Sequence, residues 1–299
     1  MQPIGDVIKK IVKERNLGDQ TNLQKDVLQS PEVREFLQKN KNKIDMSMVK
    51  NSMSNLYEFY IQLQNPDKIM SGYRPELFLN GDVIDVRYTP TAAKIEADRE
   101  KTIEHHLELI DLPERLHNVR LSQIDIDEGR KEVLSLIGEF LSKYKKNPHQ
   151  QGLYLSGDFG RGKTYILAGL ANQVAKENKN VVFLHVPTFI ASLSSHFEDN
   201  SLQQEIRRVA DADLLILDDI GAESLSQWSR DDVLGVILQA RMDNVLPTFF
   251  SSNLDMNDLE EHFAETKNSV DKVKAARIMQ RIRFLAKEVV VFGPNRRKI

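Results

Sequence analysis

The chain has 299 residues, 40% hydrophobic and 28% charged, which is room for two domains of ordinary globular composition. Its 41 lysines and arginines stand against 44 aspartates and glutamates, a formal charge of -3, so no global basic field draws it to nucleic acid and any such binding must come from a local patch. The absence of cysteine excludes disulfides and removes the commonest zinc ligands, and the lack of a signal-peptide core or a long apolar run points to a cytoplasmic protein without membrane contact.

Residues 1 to about 63 carry helical periodicity. Ile4, Ile8, Ile11 and Val12 share a face, as do Val33, Phe36 and Leu37 behind the cap and first-turn proline Ser30-Pro31. Val49, Met53, Leu56, Tyr57, Tyr60 and Ile61 repeat the spacing, which suits a core face or a groove for a partner helix. The period then changes to two. Residues 76–79 and 82–88 flank Asn80-Gly81, whose positive φ angles suit a type I′ turn, so a β-hairpin closes a small α+β domain over residues 1–92. Residues 93–118 read as a charged, solvated helical linker; His105 and His106 are adjacent within it, about 100° apart on a helix, and so do not form a shared metal site.

From residue 119 a lead-in and a helix holding Val133, Leu136, Ile137, Phe140 and Leu141 precede alternating βα units. Apolar strands are expected at 153–156, 181–186, 214–217, 248–253 and 289–293, with helices at 187–196, 202–210, 231–242, 257–262 and 274–286 between them. Near-continuous apolar strands imply a parallel five-stranded sheet covered on both faces, with ligands beyond the carboxyl ends of the strands.

Those ends carry the chemistry. After the strand at 153–156 comes Gly157-Asp158-Phe159-Gly160-Arg161-Gly162-Lys163-Thr164, opening a helix. Glycine lets the main chain turn its amides around a phosphate chain; Lys163 adds a point charge for the β and γ phosphates, the Thr164 hydroxyl can ligand Mg²⁺, and the helix dipole favours the anion. The strand at 214–217 ends in Asp218-Asp219. Asp218 can hold Mg²⁺ directly or through water, and Asp219 can orient and deprotonate the attacking water. Asn253, at the end of the fourth strand, is read as the amide that positions that water or senses the γ phosphate. Arg277 and Arg281 lie four residues apart on one helical face, from which a guanidinium can reach a phosphate of a neighbouring subunit.

Taken together, the glycine loop, the strand running to Asp218-Asp219-Ile220-Gly221, the strand ending at Asn253 and the arginine helix resemble an AAA+ ATPase, and more narrowly the bacterial replicative-helicase loaders of the DnaI type, with DnaC more distant. The resemblance is strongest over 119–299; in the N-terminal part it rests on the helical opening and on Gly72-Tyr73-Arg74-Pro75 ahead of the strands. It implies an α/β fold, an AAA+ P-loop NTPase domain at 119–299 behind the small α+β domain, with ATP and Mg²⁺ as cofactors. It implies Lys163, Thr164, Asp218 and Asp219 for binding and hydrolysis, Asn253 as first sensor, and Arg281 as the finger in trans, with Arg277 second.

Two departures stand out. Many such loaders hold the N-terminal domain together with zinc through cysteines; here no zinc is expected, and packing by Tyr57, Tyr60, Leu77, Leu79 and Val83 is expected instead. Only residues 294–299 follow the fifth strand, so a full helical lid is not expected and Arg296 is a weak substitute for a second sensor. The implied function is ATP-dependent loading of the replicative helicase onto single-stranded DNA in primosome assembly. The N-terminal domain would grip the helicase hexamer, the ATPase domains would self-associate, and the helical insert with Arg207 and Arg208 would meet single-stranded DNA. Hydrolysis is expected to be slow without a neighbour's arginine. The alternatives are an ATP-gated adaptor that needs no turnover, and a transposition-helper ATPase, against which residues 1–90 argue.

Overall fold

In the computed structural model, which describes residues 20–65, 70–193, 201–266 and 269–296, the chain divides into units Met1–Asp98 and Arg99–Ile299. In the first unit, helices α1 (Gln20–Gln29), α2 (Pro31–Lys39), α3 (Met46–Asn51) and α4 (Met53–Gln64) pack on a hairpin of β1 (Tyr73–Asn80) and β2 (Val83–Pro90). Ser30 caps α2 by accepting the Val33 amide, with proline next to it in the first turn. Val27, Val33, Met48, Leu56, Phe59 and Ile84 form the buried centre, with Tyr57, Tyr60, Leu77 and Leu79 packed around it.

The hairpin differs from expectation in two respects. Asn80 pairs with Val83, so the two-residue loop is Gly81-Asp82, and only Gly81 has positive φ (59°); glycine thus holds the first loop position, its place in a type II′ turn, rather than completing a type I′ pair. The register also sets Leu79 opposite Ile84 and Leu77 opposite Val86. Because successive side chains alternate faces, Ile84 fills the core where Val83 was expected. The expected face of Ile4, Ile8, Ile11 and Val12 lies outside the described residues.

The division between units falls within α5 (Ala92–His106). In the second unit the sheet has six parallel strands, one more than expected. They are β3 (Leu107–Ile110), β4 (Gly152–Ser156), β5 (Val181–His185), β6 (Leu214–Asp218), β7 (Thr248–Ser251) and β10 (Ala286–Val290), in the order β10-β4-β7-β6-β5-β3. A short β8–β9 hairpin (Glu265–Thr266 with Ser269–Val270) stands apart from it. The additional strand, β3, comes from the stretch expected to be linker helix. Its charged neighbours suggested a solvated helix, yet Leu107 is buried and pairs with Val181 at the sheet edge. The last strand begins three residues earlier than the apolar run at 289–293 suggested, because Ala286 and Lys287 pair with Gly152 and Leu153.

Alternation along the central strands divides the core in two. Tyr154, Val182, Leu184, Leu215, Leu217 and Phe250 face one cluster; Leu153, Leu155, Val181, Phe183, Leu214, Ile216 and Phe249 face the other. The second cluster is covered by α6 (Glu128–Tyr144), whose Val133, Ile137, Phe140 and Tyr144 recur at helical spacing, and by α7 (Lys163–Ala175). The first is covered by α8 (Val186–Leu193), α9 (Ser201–Ala210), α10 (Gly235–Asp243), α11 (Met256–Ala264) and α12 (Lys272–Leu285). A π-helical turn, Ser229–Leu234, leads into α10, and residues 194–196 of the expected helix at 187–196 lie outside the described residues.

Candidate nucleotide site

The carboxyl ends of β4, β5, β6 and β7 open onto a cleft of about 750 Å³. Gly160, Gly162, Lys163 and Thr164 line it from the glycine loop, Asp218 and Asp219 from β6, Asn253 from beyond β7 and His185 from the end of β5. Gly162 has φ 90° and ends the loop one residue before α7 begins; a Cβ there would collide with the Arg130 guanidinium. Gly157 has φ 138°, with the Val291 carbonyl where a Cβ would sit. Backbone conformation favours glycine at both positions, and at Gly157 the Val291 backbone also leaves no space for a side chain.

Lys163 is buried at 6% exposure, and its ammonium donates to the Gly157 carbonyl at 2.5 Å, the Asp158 carbonyl at 3.0 Å and Asn253 Oδ1 at 2.8 Å. The Thr164 hydroxyl donates to both Asp218 oxygens, at 2.9 and 3.1 Å. Asp218 also accepts from the Ser251 hydroxyl at 2.6 Å; burial pushes its carboxyl above the ordinary range, opposed by those two hydroxyls. Asp219 takes a left-handed φ of 57°, fixed by its amide donating to Ser251 Oγ at 3.1 Å and by the Ile220 amide on the Ser251 carbonyl at 3.0 Å. Its carboxylate accepts from Asn253 Nδ2 at 3.3 Å and lies 3.8 Å from His185 Nε2.

This donor set fits Mg²⁺ and a nucleoside triphosphate. A hydroxyl and a carboxylate already in contact are hard oxygen donors of the kind Mg²⁺ takes, and Gly160 and Gly162, both at positive φ, give the loop the backbone turns from which amides can meet an anion. The cleft is also lined by Leu112, Pro113, Leu116, Ile124 and Tyr165, apolar groups of the kind that can meet the flat face of a base.

Not every residue expected here reaches the cleft. Gly157, Asp158 and Arg161 do not line it. Asp158 is paired with Arg161 at 2.8 Å, which holds its carboxyl below the ordinary range, while Arg161 also donates to the Gly293 carbonyl. Phe159 lines the cleft and is 62% exposed. Arg277 and Arg281 stand outside it on α12: Arg281 donates to the Gly235 carbonyl at 3.0 Å, whereas Arg277 is exposed. Arg296 does line the cleft, its guanidinium on Asp125 at 2.9 Å and Asp127 at 2.5 Å. On α9, Arg207 and Arg208 are both exposed, and Arg208 is paired with Glu205 and Glu108.

Sequence reasoning passed over Ser251, His185, Arg130 and the apolar lining groups. For Ser251 the serines ahead of Asn253 were a usable signal; Arg130, in the first turn of α6, gave none.

Comparison with known proteins fits this geometry. Residues 1–88 match the family model described as the primosomal protein DnaI N-terminus, and residues 98–298 match that of the IstB-like ATP-binding protein. Over 309 aligned residues, covering 99% of both chains, the sequence is 34% identical to the replicative helicase loader DnaI of Bacillus subtilis strain 168. The chain belongs to the DnaI family. A crystal structure of a DnaI superposes with a TM-score of 0.57 at 41% identity, covering 65% of this chain and 99% of that one. The replicative helicase loader DnaC of Escherichia coli K12 is 22% identical over 56% of this chain and 63% of its own. A DnaC crystal structure shares the fold, with a TM-score of 0.51 at 20% identity over 60% of this chain and all of that one. The DnaI match spans both units, so the nucleotide cleft and the small N-terminal unit belong to one family architecture.

Proposed function

We propose that this chain is an ATP-dependent loader of the replicative DNA helicase. The observation that carries the reading is the full-length similarity to the helicase loader DnaI, which takes in the N-terminal unit as well as the ATP-binding part. The transposition-helper reading leaves the match of residues 1–88 to the DnaI N-terminus unaccounted for. In this reading residues 1–92 grip the helicase hexamer, residues 93–118 connect, and residues 119–299 respond to nucleotide.

Bound Mg²⁺·ATP supplies the phosphoanhydride bond whose cleavage or retention sets the state of the loader. Lys163 and the loop amides hold the phosphates, and Thr164 with Asp218 holds the metal. Asp219 takes the proton of the attacking water while Asn253, hydrogen-bonded to both Lys163 and Asp219, keeps phosphate cation and base in register. Neither Arg277 nor Arg281 lines the cleft of its own chain, which suits a finger supplied by a second copy. Self-association is supported by two exposed apolar groups: Ile126 and Phe159 near the cleft, and Val273 and Phe284 beside Arg277 on α12. Single-stranded DNA would meet α9 at Arg207.

The test is to mix the full-length chain with the cognate helicase hexamer, with and without ATP, and to separate the products by size. A stable complex whose release or ring opening depends on ATP is expected; no complex in either condition would sink the loader reading.

A further inference from the structure

Arg130 is a buried cation with no counter-ion among the described residues. It lies in the first turn of α6 and is 4% exposed, yet its guanidinium makes one hydrogen bond among the described residues, from Nη2 to the Arg161 carbonyl at 3.0 Å. No carboxylate among the described residues comes within 4 Å of it. The nearby acids are engaged elsewhere, since Asp125 and Asp127 are paired with Arg296. A guanidinium has five N–H donors, and with one of them used the others are left to whatever occupies the cleft. Here the unpaired charge borders the cleft. Arg130 lines it beside Gly162 and Lys163, and its guanidinium fills the space that a Cβ on Gly162 would need.

We infer that the Arg130 guanidinium is a further cation for the triphosphate of the bound nucleotide, reaching it from α6 beside the glycine loop. The inference rests on the ATP-binding reading above. Burial, and the like charge of Arg296, push the guanidinium below its ordinary proton affinity, and Asp127 and Asp125 oppose that at longer range. An anion in the cleft would relieve both effects. The single bond to the Arg161 carbonyl gives the side chain a fixed position while leaving the remaining donors for the ligand.

A structural brace and a ligand cation respond oppositely to neutralisation. Removing a brace weakens the nucleotide-free protein, whereas removing an unpaired buried charge does not. The experiment compares the full-length wild type with R130Q, R130K and K163A, measuring nucleotide-free melting temperature and equilibrium binding of ATP and ADP. R130Q is expected to melt no lower than wild type without nucleotide and to bind ATP at least tenfold more weakly, with R130K recovering part of the loss. ATP affinity of R130Q within twofold of wild type would overturn the inference. So would a nucleotide-free melting temperature several degrees lower, whatever the affinity. A wild-type chain that binds no ATP would instead sink the underlying reading, and ATP binding weakened by K163A but not by R130Q would sink this inference alone.

Discussion

The Thr164 hydroxyl donates to both carboxylate oxygens of Asp218, tying the first turn of α7 to the end of β6 across 54 residues of sequence. Ser251 Oγ donates to the same carboxylate and accepts the Asp219 amide, so a strand-end serine sets the orientation of both acids. The proposed metal ligand, Asp218, and the proposed general base, Asp219, are held in separate places by one neighbour.

That separation predicts a split phenotype for D219N. Binding of ATP, measured by equilibrium titration, should stay within a few-fold of wild type, while the hydrolysis rate with helicase present should fall by about 10²–10⁴. Equal loss of binding and turnover would count against Asp219 as base.

Glu223 gives a pH dependence. Its side chain is 3% exposed, with one oxygen accepting the Gly221 amide at 2.8 Å, and burial pushes its carboxyl up to about 7 against the opposing pull of the Gly221 to Glu223 amides. The folded chain then holds a proton that the unfolded chain releases between about pH 4.5 and 7, so stability from this group is greatest at the acid end and falls as pH rises through 7. Urea unfolding at pH 5.5 and 7.5 should show wild type losing about 1–2 kcal/mol relative to E223Q. A difference that does not change with pH would refute the buried carboxyl's role.

Arg241 is fully buried and donates to the carbonyls of Ala210, Ala212 and Pro247 and to Thr248 Oγ1, at 2.7–2.9 Å. Unlike Arg130, it satisfies its surroundings. R241M would remove all four bonds, leaving the Ala210 and Ala212 carbonyls without this donor, and should destabilise the unit by about 3 kcal/mol or more, seen as a melting temperature lower by about 6–12 °C. Lysine, with one nitrogen, should rescue only part.

In the N-terminal unit, the Ile84 amide donates to Ser52 Oγ at 2.7 Å, a buried link between the start of α4 and the hairpin. S52A leaves that amide unpaired and should cost about 1–3 kcal/mol. If the grip on helicase resides in residues 1–92, the same variant should weaken helicase binding while leaving ATP binding unchanged.

Local rules determined a good part of this protein before folding. The glycine loop, the strand ending in Asp218-Asp219 and the strand leading to Asn253 are legible because backbone conformation and two-residue alternation are encoded over a few neighbouring positions. The same locality explains the errors. Leu107–Ile110 looked helical beside its charged neighbours, and only pairing with Val181 made it a strand; the hairpin turn moved by one residue because cross-strand register, not the Asn-Gly pair, fixed it. Arg130 and Arg241 are both buried arginines in helices, and nothing in their sequence neighbourhoods separates them. Their difference lies in partners: Arg241 meets four acceptors brought from Ala210, Ala212, Pro247 and Thr248, and Arg130 meets one at Arg161. Whether a buried charge is satisfied depends on groups that only the tertiary fold brings within hydrogen-bonding distance.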